Sequence, residues 1–393
     1  MISKEHSKHA NITRPLTGNF GRNEWAILGG HCTVIKFLAD QVITALSTRY
    51  KCAYADTSHP NDIVQVPGKL ANGAVLEYTD QINYSQLNYN EPLDAFKQRE
   101  LFSQMDLILV NGNHQQAKAQ VVIIDPNKYA SLQKRLDQLT NVELFLLADN
   151  TDVIPDYIQI TFPEWRKVPV LRLNEDIQQI INFFAERLQR ATPVLHGLVL
   201  AGGKSTRMGS DKGAMNWFGK EQRYYMADLL KKHCSNVFIS CRDVDQQQEI
   251  DPDYSSIPDS FTGLGPYGAI LSAFRQQPDC AWLVIACDLP LVDDVVLQTL
   301  VVNRNPASIA TAFKSQHNDF PEPLITIYEP KGYPKLLQFL SQGYSCPRKV
   351  LINSDVTLLS QSDENALANV NTPEEMERIK LILHQKTATK DAK

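Results

Sequence analysis

The stretch Leu195-His196-Gly197-Leu198-Val199-Leu200-Ala201-Gly202-Gly203-Lys204-Ser205-Thr206-Arg207-Met208-Gly209-Ser210-Asp211-Lys212 decides how this chain is read. Leu195–Leu200 is a mainly apolar stretch that reads as a strand. It runs straight into a glycine-rich loop. Gly202 and Gly203 leave the backbone bare, so main-chain N–H groups can come close to a phosphate or a base. Arg207 and Lys212 add cationic donors, and each charge-assisted bond to a phosphate oxygen is worth roughly 1.5–3 kcal/mol. The order of residues is neither GxxxxGK[ST] nor GxGxxG, which excludes those two phosphate loops.

Working outward from that loop, strands are expected at Asn236–Ser240, Ala281–Ala286, Ala307–Ala312 and Leu324–Tyr328. Helices are expected between them, at about Tyr224–His233, Tyr267–Arg275, Val292–Asn303 and Pro334–Gln342. Upstream, Glu24–Leu28, Cys52–Ala55, Met105–Val110, Val121–Ile124 and Asn141–Leu147 read as strands. Thr33–Arg49 and Glu175–Arg190 read as helices, the second capped by Asn174. Alternating strands and helices predict an α/β protein of two doubly wound, mainly parallel-sheet domains. The expected limits are a flexible tail over 1–22, a first domain over 23–191, a second over 194–385, and a flexible tail over 386–393. The linker is Ala191-Thr192-Pro193.

Asp288 follows the apolar run Trp282–Ala286, and ligands of open α/β sheets bind at that strand edge. A carboxylate there suits Mg²⁺, a hard cation that takes one or two protein carboxylates plus phosphate oxygens. The alternative for Asp288 is a cap on the helix that begins near Val292. Thr372-Pro373 reads as the cap and first position of a final helix.

Several short motifs then keep their order along the chain. They are Leu200–Lys212, Asp259-Ser260-Phe261-Thr262-Gly263-Leu264-Gly265-Pro266-Tyr267-Gly268, Ala286-Cys287-Asp288-Leu289-Pro290, Glu322-Pro323-Leu324 and Asn369-Val370-Asn371-Thr372-Pro373-Glu374-Glu375. Together they resemble the nucleotidyltransferases with a Rossmann-like fold, and among these the molybdenum cofactor guanylyltransferases, over about residues 195–380. Tyr267 stands where the family has leucine. The resemblance implies Mg²⁺-dependent transfer of GMP from GTP to molybdopterin or the molybdenum cofactor, with pyrophosphate released. It implies catalytic roles for Arg207, Lys212 and Asp288, with Asp288 as the metal ligand. It implies nucleotide contacts from Leu200, Ala201, Gly202, Gly203, Lys212, Asp259 and Asp288. Gly265, Pro266, Gly268, Asn369 and Asn371 are the weaker candidates for the acceptor. For Asp259 the alternative is a turn residue, and for the glycines an ordinary turn before the helix at Tyr267.

Arg242 stands where the family often has asparagine after the strand Asn236–Ser240, so it either reads guanine or is simply exposed. Transfer of CMP to the same cofactor, another small-molecule nucleotidyltransferase, and a non-catalytic nucleotide-binding or partner-docking protein stay open. A molybdoenzyme or a pathway protein is a further expected partner.

Residues 24–125 faintly resemble the molybdopterin-guanine dinucleotide biosynthesis adapter, a P-loop protein. The loop Leu28-Gly29-Gly30-His31-Cys32-Thr33-Val34-Ile35-Lys36 lacks GK[ST], and Lys36 falls inside the helix. A P-loop without its lysine and hydroxyl is a poor triphosphate site. The expectation is a degenerate domain that docks a partner or helps hold the acceptor, with a purely structural domain as the alternative. His31, His59 and His114 show no ligand spacing and read as loop residues.

Composition narrows the remaining choices. A net charge of −5 gives no basic excess for nucleic-acid backbone. Seven cysteines, an odd number without a CxxC pair, point to a reducing compartment and no structural zinc. Met1–Arg22 has no apolar core and no apolar run reaches membrane-spanning length, so a cytoplasmic protein without membrane contact is expected.

Overall fold

The computed structural model describes residues 12–58, 66, 68–201, 212–315, 318–361, 365–370 and 372–391, with Lys212, Pro373, His384 and 386–391 described through the backbone alone. Contacts divide the chain into two compact units, Leu16–Ala191 and, for the most part, Thr192–Lys393.

The N-terminal unit runs β1 (Glu24–Leu28), α1 (Cys32–Leu46), β2 (Cys52–Ala55), α2 (Gly68–Ala71), β3 (Leu76–Asp80), β4 (Ser85–Tyr89), α3 (Ala95–Phe102), β5 (Leu107–Asn111), β6 (Ala119–Ile124), α4 (Tyr129–Gln133), β7 (Val142–Leu147), α5 (Asp156–Thr161), β8 (Val170–Arg172) and α6 (Ile177–Arg190). Its sheet order is β2-β5-β1-β6-β7-β8, parallel throughout. β1, β5 and β6 are buried at every position, as continuous apolar strands must be when both faces are covered. Trp25, Ile35, Val42, Leu109, Val121 and Phe184 pack one face. Leu28, Val122, Phe145 and Ile158 pack the other. β3 and β4 form a separate two-stranded ladder whose Tyr78, Ile82, Tyr84 and Leu87 are exposed.

Two readings from sequence change here. The segment placed in a tail up to residue 22 is instead ordered at its end. The Glu24 carboxylate accepts N–H groups from Asn19, Phe20 and Gly21 at 2.8, 2.7 and 2.9 Å and from Lys118 at 2.8 Å. Phe20 is buried edge-on against Phe102. Asn174 does not cap α6. The cap position is Asp176, whose carboxylate accepts the Arg172 N–H at 2.7 Å.

The C-terminal unit runs β9 (Leu195–Leu200), α7 (Gln222–Leu230), β10 (Asn236–Cys241), α8 (Val244–Gln248), β11 (Ser255–Pro258), α9 (Pro266–Gln276), β12 (Ala281–Ala286), α10 (Asp294–Val302), β13 (Ala310–Lys314), β14 (Pro321–Tyr328), α11 (Gly332–Ser341), α12 (Pro347–Ile352), β15 (Val356–Leu359) and α13 (Pro373–Asp391). The sheet order is β11-β10-β9-β12-β14-β13-β15. β9 lies parallel between β10 and β12, so the strand that leads into the glycine loop is near the middle of the sheet. β14 runs antiparallel to both of its neighbours, which makes this a mainly parallel mixed sheet.

Leu283, Ile285, Phe313 and Ile327 face the core under α7 and α10. Trp282, Val284, Tyr328 and Ile270 face the opposite core under α9 and α11. At the far end from the site, Arg304 clasps the fully buried Glu329 at 2.7 and 2.9 Å and donates to Pro193 O at 2.8 Å, which ties the chain before β9 to the sheet. Among the described residues, no helix is long and apolar enough to cross a membrane.

Candidate active site

The parallel strands β9, β10 and β12 all end at one edge of the C-terminal sheet, and the candidate residues are distributed along it. At the end of β9, Leu200 O accepts the Cys287 N–H at 3.4 Å and Ala201 N donates to Ser240 Oγ at 3.3 Å. Gly202, Gly203 and Arg207 lie outside the described residues. The Lys212 backbone opens a short 3₁₀ turn, Lys212–Ala214, and its side chain lies outside the described residues.

Asp288 stands two residues past β12. It does not cap α10. That position belongs to Asp293, whose carboxylate accepts the Val295 and Val296 N–H groups, each at 3.1 Å. Asp288 instead lines a cavity of about 420 Å³. Its own carbonyl accepts the Val370 N–H at 2.9 Å, which draws the segment around Asn369 to the strand edge. Asn369 lines the same cavity, so two residues 81 positions apart meet there. Asn371 lies outside the described residues. Thr372 N donates to Glu375 Oε2 at 3.1 Å and Glu375 N to Thr372 Oγ1 at 3.2 Å, a reciprocal cap at the start of α13.

Sequence reasoning assigned no site role to three further lining residues. Glu322 comes from β14 and Arg348 from α12, and Arg348 Nη2 lies 2.8 Å from Glu322 Oε2. Arg378, from α13, donates to Asn365 Oδ1 at 3.3 Å and also lines the cavity. Glu322 stands in a segment already singled out by order, whereas no spacing marks Arg348 or Arg378. The cavity therefore gathers three carboxylates, Asp288, Glu322 and Glu375, with two guanidinium groups, Arg348 and Arg378.

Asp259 lies just after β11, with its N–H donating to Cys241 O at 2.8 Å. Among the described residues, its Oδ1 is buried without a hydrogen-bond partner. Burial pushes this carboxyl up to about 7. It is not among the described lining residues of the cavity, and neither are Gly265, Pro266 and Gly268. The glycine turn has its own packing logic. Gly265 has φ +55° and ψ −136°, a conformation L residues avoid, and stands directly before Pro266, the first residue of α9. A Cβ at Gly268 would collide with the Phe261 carbonyl oxygen. Ser272 Oγ donates to Gly268 O at 2.7 Å and accepts the Ser260 N–H at 2.9 Å, which fixes the turn onto the helix. Tyr267 is fully buried, and its hydroxyl donates to Leu336 O at 2.7 Å, so the departure from leucine serves the core.

Two further groups stand near the start of α7. Gln222 is fully buried, with both amide heteroatoms unpartnered among the described residues. Arg223 is buried beside it, with Nε 2.8 Å from Glu221 Oε2. Arg242 bonds through Nε to Asp243 Oδ2 at 2.8 Å and through its N–H to Gln246 Oε1 at 2.7 Å. Among the described residues, no group of three or more His, Cys, Asp or Glu side chains could hold a metal by itself. A single carboxylate at Asp288 is nevertheless the donor set that Mg²⁺ uses when phosphates supply the remaining oxygens.

In the N-terminal unit the expected degenerate loop is closed by protein groups. Gly29 N donates to Asn113 Oδ1 at 3.4 Å, Asn113 Nδ2 donates to Gly30 O at 2.9 Å, and Lys36 pairs with Asp56 at 3.3 Å.

Comparison with known proteins places the C-terminal unit in a family. The family described as the MobA-like NTP transferase domain matches residues 197–357, which defines the C-terminal unit as a nucleotidyltransferase. A molybdenum cofactor guanylyltransferase of Shewanella baltica is 30% identical over 193 residues, covering 47% of this chain and 95% of that protein. A molybdenum cofactor biosynthesis bifunctional protein of Synechocystis is 34% identical over 185 residues, covering 47% of this chain and 53% of that one, so the match spans about half the relative's length. A crystal structure of a MobB protein homolog from Bacillus stearothermophilus is similar at 18% identity, covering 43% of this chain and 99% of that one, with a TM-score of 0.31. The chain belongs to the molybdenum cofactor guanylyltransferase family.

Proposed function

We propose that the C-terminal unit transfers GMP from GTP to the terminal phosphate of molybdopterin or its molybdenum form. The observation that carries this reading is the shared cavity at the strand edge, where Asp288 and Asn369 meet the Glu322–Arg348 pair and Arg378. A phosphate oxygen of the acceptor attacks the α-phosphorus of GTP. The α–β bridging P–O bond breaks, and pyrophosphate departs with that electron pair. No covalent enzyme intermediate is needed, because positioning and charge neutralisation supply most of such catalysis.

Arg348 and Arg378 hold the acceptor phosphate, with Glu322 fixing the Arg348 guanidinium. Arg207 and Lys212 neutralise the triphosphate and the leaving pyrophosphate. The ends of β9, at Leu200 and Ala201, and the loop at Gly202 and Gly203 present main-chain groups to the nucleotide, with Asp259 reading its ribose or base. Asn371 joins Asn369 on the acceptor side. Asp288 would hold Mg²⁺, which when bound polarises the phosphates and offsets their charge. Seven free thiols suit a reducing cytoplasm. The N-terminal unit, with its loop groups bonded to one another, serves as a partner-docking domain.

The test is pyrophosphate release by the purified chain with Mg²⁺, molybdopterin and each of the four nucleoside triphosphates. Release with GTP alone supports the reading. Release with CTP alone moves the protein to cytidylyl transfer, and silence with all four contradicts it.

A further inference from the structure

The C-terminal edge of the N-terminal sheet carries a thiol that the transfer reaction does not use. Cys32 is the first residue of α1, directly after Gly29-Gly30-His31. Its Sγ lies 3.4 Å from Nε2 of His114, which the segment after β5 brings in from 82 residues away. Asn113 Nδ2 approaches the same sulfur at 3.7 Å and is itself fixed by its bond to Gly30 O. The sulfur therefore sits at the positive end of a 15-residue helix, beside an imidazole that can take its proton, with an amide N–H directed at it. A partly exposed thiol with a proton acceptor in hydrogen-bond reach differs in this from thiols buried in apolar surroundings, which are inert.

Four of the other six thiols offer a contrast within the same chain. Burial pushes Cys52 and Cys241 up to about 11 and Cys234 up to about 12, so these hold their protons. Cys346 is exposed and serves as the accessible reference.

We propose that Cys32, with His114 as its proton acceptor, is the reactive thiol of this chain and a site of reversible thiolation by low-molecular-weight disulfides. His114 Nε2 takes the Sγ proton as the sulfur attacks one sulfur of the disulfide. A Cys32 S–S bond forms, and the original S–S bond breaks with its electron pair on the second sulfur. That sulfur takes the proton from His114 and leaves as a free thiol. Cys32 is oxidised and the departing sulfur reduced, so the disulfide is the only oxidant required.

The test uses the full chain, glutathione disulfide as the probe, near-neutral pH, and peptide mapping by mass spectrometry over time. Cys32 is expected to be modified about tenfold faster than Cys346. His114→Ala is expected to bring the Cys32 rate down towards that of Cys346 while leaving Cys346 unchanged. Continued protection of Cys52, Cys234 and Cys241 shows that the variant is folded. Cys346 reacting as fast as Cys32 in the unaltered chain overturns the proposal and needs no variant. An unchanged Cys32 rate in folded His114→Ala overturns the role of the imidazole.

Discussion

Asp288, Asp259 and Arg348 are three charged groups in three different circumstances, and each makes its own prediction. Asp288 lines the cavity and leaves the capping of α10 to Asp293. Asp288→Asn is therefore expected to cost about 10²–10³-fold in the rate of pyrophosphate release with little change in melting temperature. A large fall in melting temperature would return Asp288 to a structural role. Asp259 behaves differently, because its carboxyl is raised to about 7 by burial without a partner. Below about pH 4 the folded and unfolded chains both keep the proton and burial costs nothing. As pH rises towards 7 the unfolded chain gives up that proton while the folded one keeps it, so stability falls, and above 7 the loss is complete. Asp259→Asn should accordingly raise the melting temperature by an amount that grows from about pH 4 to about pH 7, while lowering transfer. A melting difference independent of pH would show that the carboxyl is solvated. Arg348 is held by Glu322. Arg348→Ala should raise KM for the acceptor about tenfold or more, from the roughly 1.5–3 kcal/mol of one charged hydrogen bond, with KM for GTP little changed. Neither Arg348 nor Arg378 was legible in the sequence, since each stands on a helix with ordinary surface spacing and acquires meaning only from the fold.

At the level of elements, legibility followed burial. β9 and β12 are apolar at almost every position because both faces are covered, and both were readable as strands. β11, Ser255-Ser256-Ile257-Pro258, lies at the sheet edge and buries only Ile257, so no run announced it. The antiparallel sense of β14 was missed as well, although the short connection from Lys314 to Pro321 is the signal of a hairpin. The turn before α9 was read for its chemistry, and its glycines also answer to packing. Gly268→Ala sets a Cβ against the Phe261 carbonyl and is expected to cost about 1–3 kcal/mol, seen as a melting temperature several degrees lower. An unaffected variant would mean that the turn relaxes freely. The cap at Thr372 makes a smaller claim. Thr372→Ala should cost about 1 kcal/mol of stability in the C-terminal unit.

On the scale of the whole molecule, the chain is two α/β units, each with apolar clusters on both faces of its own sheet. Two sheets were legible because continuous apolar strands alternate with amphipathic helices in both halves. The work of the first unit was not legible, because its loop has lost the residues that would name a ligand. The pairing of Cys32 with His114 depends on β1 and β5 lying side by side. Since the proposed transfer machinery lies within the second unit, residues 192–393 alone are expected to fold and to retain transfer, measured as turnover relative to the full chain. Loss of turnover in a folded fragment would assign the first unit a direct part in holding the acceptor. The central claim is tested most directly by following label from GTP into product, with molybdopterin and Mg²⁺ supplied. The account predicts that label at the α-phosphate appears in a pyrophosphate-linked dinucleotide, that label at the γ-phosphate leaves as pyrophosphate, and that Asp288→Asn slows both about 10²–10³-fold. Label released as GMP or inorganic phosphate with no dinucleotide formed would contradict it.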